Sequence, residues 1–153
     1  MDRIDRKILD LLQQDGTLVV ADIGQRVGLS QTPCWKRIQR LEAEGVIQRR
    51  VALLDPEKLG LGLTVFVCIE AGDHSQDSID CFINAISTMN EVVEFHRMAG
   101  DVDYLLQVVV PDVKAYDAFY KRLIGIVPLK NVSSRFSVER VKSTTALPID
   151  TTT

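Results

Sequence analysis

Residues 26–50 hold six Lys/Arg against two Asp/Glu, in a chain of 153 residues whose formal net charge is −3. Three of those cations fall in the segment Gln31–Ala43. At 100° per residue, Cys34, Ile38 and Leu41 cluster on one side of it. Thr32, Lys36, Gln39 and Arg40 lie opposite, with Trp35 and Arg37 on the edges. Arg and Lys side chains bond guanine O6/N7 or phosphate, and Gln bonds adenine, so this face suits a DNA major groove. Ser30, Gln31 and Thr32 begin the helix, where unpaired backbone N–H groups receive a phosphate. Arg49 and Arg50 follow in an extended segment that can serve as a wing. These ten residues are the candidate DNA contacts.

A second constellation is Gly100-Asp101-Val102-Asp103-Tyr104. A free amino acid carries a carboxylate and an ammonium, and both need partners. Backbone N–H groups of a glycine turn hold a carboxylate, Asp101 or Asp103 pairs with an ammonium, and Tyr104 can close over a side chain. Met98 and Ala99 line the approach. The same residue types also make an ordinary hairpin turn, and the residues alone leave that choice open.

Other chemistries find little support. Cys34, Cys68 and Cys81 are widely and irregularly spaced, and His74 and His96 stand far apart. A structural zinc needs four close ligands, so neither metal nor cofactor is expected. Cys34 falls on the core side of its helix and reads as a small hydrophobe. His96 reads as a surface or structural residue. Ser143-Thr144-Thr145 lacks a His/Asp arrangement and reads as tail packing, so no enzyme is expected. The composition, 46% hydrophobic and 25% charged, is that of an ordinary globular protein. No window offers the ~20 apolar residues of a membrane span, and no apolar stretch follows the charged Met1–Lys7 start. A cytoplasmic protein without membrane contact is expected.

The elements that must position these residues follow from periodicity. Ile4, Ile8, Leu11 and Leu12 make one stripe of a helix over residues 2–14. Residues 20–27 form a short helix with glycine at position 24, ended by Gly28. Residues 31–43 form a third, with Ser30 as N-cap and its hydroxyl able to accept a backbone N–H. Three helices with a glycine turn before the third make a helix-turn-helix candidate. Gly24 is the place where the second helix must be small for the third to cross closely. Beyond a break at 51–62, the pattern reads strand 63–70, helix 76–88, strand 92–99, strand 104–110, helix 113–124 and strand 132–141. Val113, Tyr116, Phe119, Tyr120 and Leu123 are expected to face inward. The order βαββαβ is the split-βαβ, ferredoxin-like plan. Two helices on one face leave the other bare, which predicts a homodimer. The expectation is an α+β protein: a winged helix-turn-helix at 1–50, a hinge at 51–62, and a βαββαβ effector-binding and oligomerisation domain at 63–153.

Val27–Ile47, with its Leu29-Ser30-Gln31-Thr32-Pro33-Cys34-Trp35-Lys36-Arg37 run, resembles the Lrp/AsnC (feast/famine) family of transcription regulators. Asp5–Leu12, Val51–Gly60, the G-x-x-D-Y run at Gly100–Tyr104, and Lys142–Pro148 extend the resemblance over essentially the whole chain. It implies a transcription regulator that binds promoter DNA, with dimers formed through the sheets and often assembled into octamers. It also implies an amino-acid effector at the 100–104 loop, with Ser133, Ser134 and Arg135 completing the pocket. Thr-Pro-Cys-Trp-Lys-Arg and Phe119–Leu123 look most like the cysteine-detoxification branch, which makes cysteine or a related sulfur amino acid the first effector expected. Val19-Val20 stands where the family usually has a capping Ser or Asn, and Asn90 where proline is common. The competing readings are an architectural DNA-binding protein of low specificity, a thiol or ferredoxin-like enzyme, and an amino-acid sensor with a vestigial DNA module.

Overall fold

The computed structural model describes residues 1–152, which divide into two units: 1–53 with 142–152, and 54–141. In the first unit, α1 (Arg3–Gln14), α2 (Val20–Val27) and α3 (Gln31–Ala43) pack around Ile8, Ile23, Cys34 and Ile38. Each of these side chains is buried, and burying one Ile contributes roughly 1.5–3 kcal/mol. Gly24 is buried where α2 meets the start of α3. A Cβ built there would lie 2.8 Å from the Leu29 carbonyl oxygen and 3.5 Å from Cys34 Cβ. Gly28 ends α2 in the left-handed conformation, φ 76°, which costs an L side chain roughly 1–2 kcal/mol. These two glycines set the crossing of α2 and α3. Burial pushes the Cys34 thiol pKa up, which keeps it an inert part of this core.

Two local expectations are corrected. Ser30 is the N-cap residue of α3, but its hydroxyl makes no capping bond. Residues 46–54 form no strand, so the helix-turn-helix has no β-wing among the described residues. Ile47 N–H instead donates to Leu41 O at 3.1 Å, folding the segment back on the end of α3. Val19 caps α2 without a side-chain bond, as its residue type requires.

The second unit is β1 (Leu63–Ala71), α4 (Gln76–Ser87), β2 (Val92–Arg97), β3 (Tyr104–Val110), α5 (Val113–Ile124) and β4 (Leu129–Phe136). The four strands form one antiparallel sheet in the order β2-β3-β1-β4, the βαββαβ plan. Val65, Val67 and Ile69 alternate into the core opposite Leu106 and Val108, with Phe82, Ile86, Phe119 and Leu123 from the helices. Asp112 caps α5 by accepting the Ala115 N–H at 2.8 Å. Val113, expected to face inward, is exposed as the first residue of α5, and Tyr116, Phe119 and Leu123 are the buried side chains of that helix. The last strand begins earlier and ends earlier than expected. Leu129 pairs with Ala71 across a bulge, and Phe136 pairs with Val65 near the start of β1. Ser137 N–H donates to Thr64 O at 2.9 Å, one residue from the start of β1, and the pairing ends there.

The tail, expected within the 63–153 domain, lies on α1. Gln13 Nε2 donates to Leu147 O at 2.9 Å, and Leu147 N–H donates to Gln13 Oε1 at 2.8 Å. Arg3 and Arg6 donate to the carbonyls of Thr151 and Asp150.

Gly24→Ala is expected to lower the stability of the helical unit by ~1–3 kcal/mol, the cost of overpacking a tight site. Thermal unfolding followed by circular dichroism checks this, and an unchanged midpoint would contradict the close crossing.

Candidate nucleic-acid interface and effector loop

The core side of α3 is as its periodicity requires, with Cys34, Ile38 and Leu41 buried. Ser30, Gln31, Thr32, Trp35, Lys36, Gln39, Arg40, Arg49 and Arg50 are exposed, and Arg37 is half-buried. The face is contiguous, but its charges are not equally available. Arg37 Nη1 bonds Asp2 Oδ2 at 2.7 Å and Asp5 Oδ1 at 2.8 Å. Arg40 Nη2 bonds Asp5 Oδ2 at 2.6 Å. Arg50 bonds Glu42 Oε1 at 3.2 Å, and Gln39 donates to Glu42 Oε2 at 3.0 Å. Among the described residues, Lys36 and Arg49 make no ion pair.

The carboxylates facing those arginines were not singled out by sequence reasoning. Asp2 and Asp5 form a reciprocal capping box at the start of α1, each accepting the other's backbone N–H at 2.9 Å. The D-x-x-D spacing at a helix start was the available signal. The second and third turns of α3 then bring two guanidinium groups to the same point. Asp5 is only 1% exposed. Burial raises its pKa, but the Asp2 backbone N–H and the Arg37 guanidinium outweigh that and hold it below the usual carboxylate range. The Asp5 N–H, followed by Arg37, brings Asp2 down to about 2. The same two carboxylates push Arg37 up.

The effector candidates divide into three groups. Met98, Ala99, Gly100 and Asp101 are exposed together on the β2–β3 loop, with Gly100 at φ 129°. Asp103 is built into the sheet end. Its Oδ2 accepts the Ala71 N–H at 2.7 Å, its N–H donates to Ile69 O, and its carbonyl accepts the Met98 N–H. Tyr104 is buried against Phe82 and Phe95 with ring centroids 5.0 and 5.5 Å away, so it cannot close over a ligand in this conformation. Ser133 and Ser134 lie on opposite faces of the sheet, as neighbours in a strand must. Ser134 pairs with Val67, and its hydroxyl bonds the Tyr116 hydroxyl under α5. Ser133 pairs with Cys68, and Arg135 with Phe66, on the face without helices. His96 is exposed and bonds Glu94.

Three helices with a glycine-set crossing, followed by a βαββαβ unit, define a helix-turn-helix protein carrying a second, α+β domain. Residues 1–42 match the AsnC-type helix-turn-helix domain, and residues 64–147 match the Lrp/AsnC ligand binding domain. The chain is 52% identical over 151 residues to the DNA-binding transcriptional activator DecR of Escherichia coli, covering 98% of this chain and 99% of that protein. It is 51% identical over 152 residues to the glutamate uptake regulatory protein of Zymomonas mobilis, covering 99% and 93%. An AsnC family transcriptional regulator from Agrobacterium tumefaciens superposes with a TM-score of 0.93 at 59% identity, covering 97% of each chain. A transcriptional regulator from Neisseria meningitidis, solved with L-methionine, gives 0.92 at 33% identity, covering 97% and 96%. The chain belongs to the Lrp/AsnC family of transcriptional regulators. No helix among the described residues is long and apolar enough to cross a membrane.

The depressed pKa of Asp2 sets a sign for acid stability. A carboxylate whose folded pKa lies below its unfolded value contributes above the unfolded value and loses the contribution as pH falls through the folded one. The stability difference between wild type and Asp2→Asn is therefore expected to be constant from neutral pH to about 4. It should shrink below that and vanish near pH 2. Denaturant unfolding across that range checks it, and a difference that grows on acidification would contradict the ion pair.

Proposed function

We propose that the chain binds promoter duplexes in a sequence-specific manner through α3, and that an amino acid bound at the β2–β3 loop modulates this binding. The observation that carries the DNA reading is the open half of α3. There the Lys36 ammonium is unpaired among the described residues, and the Ser30 hydroxyl is not spent on its own helix. Lys36, Gln39 and Thr32 would address base edges. Ser30, Gln31 and the first backbone N–H groups would hold a phosphate, and Arg49 would reach the flanking backbone. Trp35, 49% exposed, would pack against sugar or a thymine methyl. Arg37, Arg40 and Arg50 would reach DNA only by sharing or leaving their carboxylate partners.

For the effector, Met98, Ala99, Gly100 and Asp101 form the accessible set. Backbone N–H groups about Gly100 would take the carboxylate and Asp101 the ammonium. Asp103 serves by holding the ends of β1 and β2 in register below the loop. A sulfur-containing amino acid, cysteine first, is the proposed ligand. Two things support that class: the exposed thioether of Met98, a soft partner for sulfur, and the methionine bound in the Neisseria meningitidis relative. The sheet face without helices carries Phe66, Cys68, Leu105 and Val109. A second copy of the chain would cover it, with further association to an octamer. A cytoplasmic location follows from a genomic target.

Lys36→Ala is expected to weaken binding to a selected promoter fragment roughly tenfold at ~150 mM salt, within the ~1–3 kcal/mol of one good contact. Unchanged affinity in fluorescence anisotropy would refute the assignment of this face. Asp101→Ala is expected to keep that affinity but lose the shift caused by the amino acid. A normal effector titration in that variant would move the ligand elsewhere.

A further inference from the structure

The start of α1 and the far edge of α3 share one electrostatic arrangement: two carboxylates, Asp2 and Asp5, facing two guanidinium groups, Arg37 and Arg40. Those four charges sum to zero, and Glu44 also lies 3.7 Å from Arg40, so two of the cations on the helix are cancelled before any DNA arrives. The two acids are not equivalent. Asp5 is almost wholly buried and bonds both arginines, whereas the Asp2 side chain is 54% exposed and bonds only Arg37. The Arg37 side chain is itself 26% exposed, so the outer bond of the array lies at the surface and the inner ones below it.

We propose that Asp2 is a built-in surrogate for a DNA phosphate, which occupies Arg37 in the free protein and yields it to a phosphate oxygen when a duplex binds. This rests on the reading of α3 as the duplex-facing helix. A carboxylate and a phosphate accept the same charge-assisted bond from a guanidinium at the same distance, so one can replace the other without moving the helix. Asp5 keeps Arg37 at the helix edge throughout. Asp2 keeps its own place because its other oxygen, Oδ1, accepts the Asp5 N–H. Phosphate contacts carry no sequence information. Cancelling one therefore lowers affinity for all DNA while leaving base-edge contacts intact, and the protein spends less time on non-target sequence.

The test uses the full chain and compares wild type, Asp2→Asn, Arg37→Gln, the double variant and Lys36→Ala. Binding to a random duplex is followed by anisotropy across a salt series. Asn is as good an N-cap as Asp, so α1 keeps its start in Asp2→Asn. That variant is expected to bind the random duplex roughly two- to fivefold tighter, the fold-change of one exposed ion pair. Its log–log salt slope should match that of the wild type, because Arg37 meets one phosphate in both complexes and each phosphate adds about 0.9. In the Arg37→Gln background the same substitution should change nothing. An equal gain in both backgrounds would overturn the proposal, since it would mark a general charge effect. No gain from Asp2→Asn while Lys36→Ala still weakens binding would also overturn it and leave the duplex-facing helix standing. Absence of both effects would remove the exchange and the duplex-facing helix together. Should Arg37→Gln fail to fold, the Arg37 guanidinium resonance of the wild-type protein decides: it must shift when duplex is added, and an unmoved resonance overturns the exchange.

Discussion

The helical unit depends on one buried carboxylate. Asp5 lies on α1, yet what it binds lies on α3: Arg37 at 2.8 Å and Arg40 at 2.6 Å. Asp5 is the buried charge of this interface, and without the two guanidinium groups it would stand uncompensated, which is costly at a buried site. The apolar contacts of Ile8, Ile23 and Ile38 supply most of the attraction between the helices. Such contacts are not directional. The Asp5 bonds add direction, fixing the rotation of α3 about its own axis. That rotation decides which side chains look outward. With Arg37 and Arg40 held toward α1, the open sector is left to Thr32, Lys36 and Gln39. The surface proposed to meet DNA is thus defined as much by the carboxylates of α1 as by the residues that face solvent.

The second unit solves a different problem by the same economy. The β2–β3 loop is exposed at residues 98–101, and an exposed glycine loop has little to hold it. Asp103 supplies the anchor, with three hydrogen bonds reaching Ala71, Ile69 and Met98, and Tyr104 packs into the core directly behind it. The G-x-x-D-Y run therefore divides its work. Glycine and the first aspartate form the accessible tip, and the second aspartate and tyrosine fasten it to the sheet.

Much of this was legible from residue order. Helix spans 20–27 and 31–43 and the βαββαβ order follow from apolar periodicity, which is local. The close approach at Gly24 follows from one small residue four positions before a helix-ending glycine. The rest depends on contacts distant in sequence. The Asp5–Arg40 bond spans thirty-five positions, and a helical wheel of α3 alone displays Arg40 as free. Ser133 and Ser134 look like a pair in the sequence, but strand alternation sends them to opposite faces. The ends of β4 are set by where β1 begins, and the path of the tail by Gln13, neither of which a periodicity within the segment can report.

A regulator of this kind reads specific DNA under the control of a small molecule, and that is what we propose for this chain. The most direct measurement is selection of genomic fragments by the pure full chain at ~150 mM salt, repeated with each amino acid. Enrichment of one or a few promoters, shifted by a sulfur amino acid above all others, is the predicted result. Flat enrichment under every condition would contradict the claim and leave a protein that binds duplexes by charge alone.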